Sequence, residues 1–263
     1  MSLLVHSAAP AADGTVLDVT PERAGWTYVG FRVVRLAAGQ DYAHCEEGRE
    51  ACLVVLSGTV SIEAGGETLE GLGGRKSVFD GAATSVYLPA GTDYEIHATD
   101  AAEVAICTAP GTGAGQIRVI RSDQVEVRGK GSNTRYVRNI LADTDAAESL
   151  LVVEVITPGG NWSSYPPHKH DQDAFPEETF LEETYYHRLS PPQGFAFQRV
   201  YTDARDIDET MAVEDGDVVM VPRGYHPVGA PHGYDLYYLN VMAGPRRNWV
   251  FRNDPAHDWI VRQ

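Results

Sequence analysis

Pro166-Pro167-His168-Lys169-His170-Asp171 sets two imidazoles one residue apart. Successive side chains of a β-strand alternate faces, so His168 and His170 point the same way if this stretch is extended. Two imidazoles on one face form a chelating pair for a divalent metal. Further on, the chain supplies a carboxylate in Glu182-Glu183 and another histidine, His226, in Pro222-Arg223-Gly224-Tyr225-His226. Three imidazoles and one carboxylate make a metal site with room left for water or a substrate.

The surrounding sequence is expected to be extended. Short runs rich in Val, Tyr or Leu, bounded by turn residues, predict strands at 26–36, 51–62, 84–88 and 103–107 in the first half. Runs at 150–156, 184–187, 195–201, 217–221 and 234–242 predict strands in the second. Helical periodicity is scarce, and only 142–148 predicts a turn or two of helix. The chain is therefore expected to be all-β, of sandwich or barrel type. A weak internal repeat accompanies this pattern. Val86-Tyr87-Leu88-Pro89-Ala90-Gly91-Thr92-Asp93 matches Val219-Met220-Val221-Pro222-Arg223-Gly224-Tyr225-His226, with Asp93 standing where His226 stands. The Gly- and Ala-rich stretch 109–116 looks like the exit from a first barrel. Two domains are expected, 1–125 and 126–263, with the metal residues in the second.

Composition narrows the partners. At 263 residues and 43% hydrophobic content, the chain can bury a sizeable core. No apolar run is long enough to span a bilayer, and no secretory signal precedes the first strand, so a cytoplasmic protein is expected. Three cysteines (Cys45, Cys52 and Cys107) without CxxC spacing read as reduced thiols. A net charge of −16 argues against nucleic-acid and anionic-membrane partners. It also means that an anionic substrate needs local cationic help. That help is expected from arginine, since lysine occurs only at 76, 130 and 169.

The combined motifs resemble the cupin superfamily, in which HxH and a glutamate form a first motif, and Gly, Pro-x-Gly and His a second. His168 and His170 match the first; Gly216, Pro222, Gly224 and His226 match the second. The first half has the punctuation without the HxH pair. The resemblance therefore implies a bicupin of two jelly-roll-type β-barrels, the N-terminal one degenerate and metal-free. The runs Gly160-Asn161-Trp162-Ser163-Ser164-Tyr165, Glu182-Glu183-Thr184-Tyr185-Tyr186-His187-Arg188, Gly194-Phe195-Ala196-Phe197-Gln198-Arg199-Val200-Tyr201 and Gly233-Tyr234-Asp235-Leu236-Tyr237-Tyr238 are similar to the 5-deoxy-glucuronate isomerase family of myo-inositol catabolism. That family is related to the 4-deoxy-5-ketouronate isomerases.

The resemblance implies an aldose–ketose isomerisation of a small anionic sugar acid through an enediol. It implies a divalent metal, Zn²⁺ foremost with Mn²⁺ and Fe²⁺ as other candidates, held by His168, His170, Glu183 and His226. The spacer between HxH and the glutamate, 171–182, is longer than usual in cupins, which leaves Glu182 as the alternative ligand and suggests an inserted lid. The carboxylate of that pair which spares the metal, taken as Glu182, and His187 are candidates for the base. Tyr185 shares the face of Glu183 and His187. Arg188, Arg199 and Lys169 are candidates to hold the substrate carboxylate, and Tyr185, Tyr186 and Tyr201 its hydroxyls. A homo-oligomer is expected. The competing functions are a metal-dependent dioxygenase and a non-catalytic sugar-acid-binding cupin.

Overall fold

Runs of Val, Leu, Ile and Tyr cut by glycine and proline form strands of two to nine residues, and almost no helix. The computed structural model describes residues 2–262, and in it the chain divides into two compact units. The first comprises Ser7–Gln124 with Arg138–Val152. The second gathers the segment up to His6, Val125–Val137 and everything from Val153 onward. The chain thus passes between the units several times, where the sequence suggested one boundary near residue 125.

In the first unit a six-stranded sheet runs in the order Arg118–Arg121, Thr84–Leu88, Arg49–Ser57, Ala102–Pro110, Gly30–Leu36, Thr15–Val19. A four-stranded sheet runs Asp41–Cys45, Asp93–Ala98, Thr59–Ala64, Glu67–Gly73. Their inner faces interdigitate. Val34, Leu53, Val86 and Ile106 of the larger sheet share one core with Val60, Ile62, Leu72 and Ile96 of the smaller. The predicted strand 51–62 is two strands, broken at Gly58. There φ is +80°, and an added Cβ would come within 2.7 Å of Ala102 Cα, so the chain turns from one sheet to the other at the one residue type that fits. Cys52 and Cys107 face each other across adjacent strands as buried free thiols. Burial pushes the Cys52 thiol up to about 12.

The helix expected at 142–148 does not form. Its backbone donors are taken by carboxylates: Ala142 N–H by Asp145, and the N–H groups of Glu148, Ser149 and Leu150 by the buried Glu50 at 2.6–2.8 Å. A carboxylate from the Arg49–Ser57 strand thus pins the chain where the helix would end, at Glu148 and the two residues after it. The one α-helix among the described residues is a single turn, Pro21–Ala24, capped by Thr20.

The second unit repeats the two-sheet plan. Its large sheet has seven strands in the order Leu4–Val5, Val218–Val221, Glu182–Ser190, Asp235–Ala243, Leu151–Thr157, Arg135–Leu141, Glu126–Arg128. Its smaller sheet runs Trp162–Ser163, Val228–Gly229, Ala196–Tyr201, Asp208–Val213. Two ribbons complete it: His168–Lys169 with Arg252–Asn253, and Asp171–Ala174 with Glu178–Phe180. The sheets remain separate and do not close into continuous barrels.

Candidate metal and active site

The Glu182–Ser190 strand is central, paired on one side with Val218–Val221 and on the other with Asp235–Ala243. Alternation sends Glu183, Tyr185 and His187 to one face, and Glu182, Thr184 and Arg188 to the other. The first face meets the smaller sheet: His187 Nε2 lies 2.8 Å from Gln198 Oε1 on the Ala196–Tyr201 strand. His170 arrives from the HxH ribbon. His226 arrives from the turn after Val218–Val221, where Gly224 has φ +95° and an added Cβ would sit 2.5 Å from Tyr201 O. Only glycine fits that corner.

His170, Glu183 and His226 bring their ligand atoms within 4.8 Å of one another. The three side chains are 2%, 1% and 0% exposed. His170 Nδ1 is 3.0 Å from Leu181 O, and His226 Nδ1 is 2.8 Å from Gly224 O. A carbonyl only accepts, so each Nδ1 carries the proton and each Nε2 presents its lone pair. Both lone pairs converge on one oxygen: Glu183 Oε2 lies 3.1 Å from His170 Nε2 and 3.3 Å from His226 Nε2. His226 Nε2 makes no hydrogen bond there although it is fully buried. Without a metal, His170 Nε2 and Glu183 share a proton across 3.1 Å while His226 Nε2 has no partner; two imidazole nitrogens and a carboxylate facing each other are a donor set that suits a divalent metal. The ring of His168 stands beside this trio, its centroid 4.8 Å from that of His226 and 6.3 Å from that of His170.

Burial holds His168 well below its ordinary range and His226 down at about 4, each helped by its neighbouring imidazoles. Burial also opposes charge on His170, but the hydrogen bond and charge of Glu183 outweigh it, and His170 is raised. Without a metal, the cluster therefore keeps its proton on His170.

The other predicted residues divide. Tyr185 is on the cluster face, its ring 5.7 Å from that of His226, with its hydroxyl 2.8 Å from Ser164 Oγ. Burial raises its phenol well above the usual range, so it stays protonated. His187 follows on the same face, fully buried, and burial lowers it to about 4. Glu182 is buried on the opposite face from Glu183. Arg188 is also on that opposite face and pairs with Asp215 at 2.9 Å. Arg199 faces away from the interior-pointing Gln198 and is gripped by Asp208 through two 2.8 Å bonds. Tyr201, under the Arg199 guanidinium, donates to Asp254 at 2.8 Å. Asp254 N–H bonds Pro167 O beside the HxH pair, so Tyr201 braces the ligand ribbon. Tyr186 is fully buried on the face of Glu182.

Lys169, the third candidate for the substrate carboxylate, is 5% exposed and already engaged, paired to Asp171 and within 3.6 Å of Glu178 and 3.4 Å of Asp203. The spacer folds back as a hairpin and covers that face. It is a paired ribbon with Phe175 exposed near its tip. Its first residue, Asp171, also accepts from Gly224 N–H at 3.1 Å and so ties the His170 segment to the His226 turn. Sequence reasoning left out Ser163, Ser164, Gln198 and Tyr238. Ser163 bonds Tyr238, which packs 4.9 Å from the Tyr185 ring. Their single local signal is the Ser163-Ser164 pair just before HxH.

Two all-β units, each a larger sheet packed on a four-stranded one, with a buried His–Glu trio on facing elements, define the cupin class. The oxalate decarboxylase of Lactobacillus farciminis, solved with formate, shares this fold, with a TM-score of 0.68 over 96% of this chain and 88% of that one. At 12% identity the likeness is one of fold alone. The chain belongs to the KduI/IolB family, which matches residues 3–260. It is 55% identical to the 5-deoxy-glucuronate isomerase of Geobacillus kaustophilus over 98% of this chain and 95% of that one. It is 53% identical to that of Bacillus subtilis strain 168, over 94% and 93%. An IolB-like protein of Salmonella typhimurium LT2 superposes with a TM-score of 0.95 at 49% identity, covering 99% of both chains.

Proposed function

We propose that the chain isomerises 5-deoxy-glucuronate to 2-deoxy-5-keto-gluconate, with a divalent metal held by His170, Glu183 and His226 and joined by His168. One observation carries the reading: two buried imidazole lone pairs converge on one carboxylate oxygen, in a chain 53–55% identical to 5-deoxy-glucuronate isomerases. Bound there, the metal supplies a Lewis acid for the substrate carbonyl and its neighbouring hydroxyl; Zn²⁺ suffices, since no electron changes hands.

The reaction moves a proton from C2 to C1 and shifts the carbonyl from C1 to C2. Tyr185, held by Ser164 and kept protonated by burial, donates a hydrogen bond to the enediolate oxygen. His187 lies four residues along the strand from Glu183, about 13 Å of rise. With C1 and C2 placed at a metal that this trio would hold, His187 would address the far end of the sugar. With Nε2–H donated to Gln198, its neutral ring offers Nδ1 to a sugar hydroxyl, and the Gln198 amide offers an N–H beside it. Burial of the trio excludes water that would otherwise compete for the intermediate.

The test is turnover without oxygen. Metal-loaded protein is mixed anaerobically with 5-deoxy-glucuronate in D₂O and followed by NMR. Conversion to the keto acid with deuterium at its terminal carbon supports the isomerase. No conversion with metal bound, or conversion that needs O₂, refutes it.

A further inference from the structure

We propose that Arg135, with Arg128 beside it, receives the carboxylate of the sugar-acid substrate, an assignment that rests on the isomerase reading above. The chain has 37 acidic residues against 21 basic ones, so an anionic substrate meets a repulsive field unless a local cation offsets it. The cations first expected to do so are engaged elsewhere. Lys169 is surrounded by three carboxylates, Arg188 is held by Asp215 and Arg199 by Asp208. Arg135 is different. Its hydrogen bond runs from Nη1 to the backbone oxygen of Asn133 at 3.3 Å, and no carboxylate of the described residues pairs with it.

Its position is equally specific. Arg135 opens the Arg135–Leu141 strand directly opposite Arg128 in the neighbouring strand, so the two cationic side chains leave the same face of the strand pair. Like charges placed so destabilise a sheet, and a bound carboxylate would relieve them. Glu126 neutralises one of the two, pairing with Arg128 at 2.7 Å. From this pair an aromatic path leads to the cluster: Arg128 lies over Trp249 at 5.3 Å, Trp249 is 6.3 Å from Phe251, and Phe251 is 4.5 Å from His168. A second path passes through Thr134, whose carbonyl accepts from Asn161 at 2.8 Å, just before the Ser163 that bonds Tyr238. Phe251 and Trp162 are 45% and 43% exposed, apolar faces of the kind on which a sugar ring packs.

A planar, partly buried guanidinium without an anion is the donor that matches a carboxylate in a two-bond fork.

The test compares Arg135→Gln and Arg135→Lys with the metal-loaded wild type. Steady-state kinetics use 5-deoxy-glucuronate; calorimetry compares glucuronate with uncharged glucose. In Arg135→Gln, KM should rise about tenfold to a hundredfold, the loss of a charge-assisted contact. Its kcat should stay within about twofold and its melting temperature should hold, because KM alone reports binding shared by ground and transition states. Glucuronate binding should fall while glucose binding does not, and Arg135→Lys should recover part of it. A wild-type KM and glucuronate affinity in Arg135→Gln overturn the assignment and leave the isomerase reading standing. A wild type that does not convert 5-deoxy-glucuronate overturns the isomerase reading, and the glucuronate titration still decides Arg135. Equal affinity of the wild type for glucuronate and glucose overturns the assignment, as does loss of kcat and melting temperature together in both variants.

Discussion

Lowering the pH should unload the metal before it unfolds the chain, with His170 setting the midpoint. In the metal-free protein, His170 Nδ1–H is spent on Leu181 O, and Nε2 faces Glu183 at 3.1 Å. Burial opposes a charged ring, Glu183 favours it, and the folded pKa ends above the ordinary 6.5. The sign follows directly. A raised folded pKa means that protonated His170 stabilises the metal-free fold; this contribution is complete below 6.5 and fades as pH rises through the folded value. The metal needs the same lone pair, so proton and metal compete. Below the folded pKa, each pH unit should weaken metal binding by about 1.4 kcal/mol. For a chain of this size, 1 kcal/mol moves the melting temperature by about 2–4 °C. The increment in melting temperature given by metal should then shrink by roughly 3–6 °C per pH unit on the acid side. His226, already down at about 4, contributes only in stronger acid. Thermal melts with and without Zn²⁺ from pH 5.5 to 8.5 measure the slope. Calorimetry in two buffers of different ionisation enthalpy counts the protons, expected near one per metal at the acid end. His170→Gln, which loses a ligand as well as the proton, should show little metal increment at any pH. A metal increment independent of pH between 5.5 and 7 in the wild type, or a wild-type increment and slope in His170→Gln, would refute the reasoning.

Asp171→Asn should weaken metal binding about tenfold to a hundredfold, because it slackens the tie between the His170 and His226 segments, and should also lower the metal-free melting temperature, because it takes a carboxylate from the buried Lys169; competition with a chromogenic chelator and a thermal melt measure the two effects. Gly224→Ala should cost on the order of 1–3 kcal/mol of stability through φ +95° and the 2.5 Å approach to Tyr201 O, read as a fall in melting temperature. Arg199→Gln should leave KM unchanged and cost under about 1 kcal/mol, since its exposed pair with Asp208 is worth little; a KM raised severalfold would return Arg199 to the substrate site.

The cluster was legible in sequence where one short segment carried the information. HxH places two imidazoles on one side of an extended chain, and the Pro-x-Gly turn announces His226. Strand alternation chose Tyr185 and His187 correctly as face-mates of Glu183. Glu183 over Glu182 was a choice that the sequence could only suggest; the register against Val221 and Met242 turns Glu183 toward the imidazoles. What failed depended on chain that arrives from elsewhere. Lys169 does point away from its flanking histidines, but the 171–180 hairpin returns to cover it. The segment 142–148 has helix-forming residues, but Glu50, roughly a hundred positions earlier, claims the amide of its last residue and of the two that follow. Arg135, proposed above for the substrate carboxylate, lies more than thirty residues before HxH, and its strand pairs with Glu126–Arg128 rather than with any strand that the HxH motif announces. No local pattern marks it.

The way the two imidazoles are fixed limits how this site can change. Metal-binding histidines commonly lean on a carboxylate or carbonyl that sets their tautomer. Here both supports are backbone carbonyls, Leu181 O and Gly224 O. A side-chain substitution at 181 or at a neighbouring surface position cannot remove an acceptor that belongs to the main chain. The ligand geometry is therefore insensitive to most sequence change and sensitive to whatever moves those two peptides. Leu181 is held by its own N–H to His170 O, and Gly224 by its N–H to Asp171. Both anchors lead back to His170-Asp171. The dipeptide that ends the HxH motif supplies one ligand and also holds the two carbonyls that orient the imidazoles of His170 and His226, so strain there should reach both ligands at once.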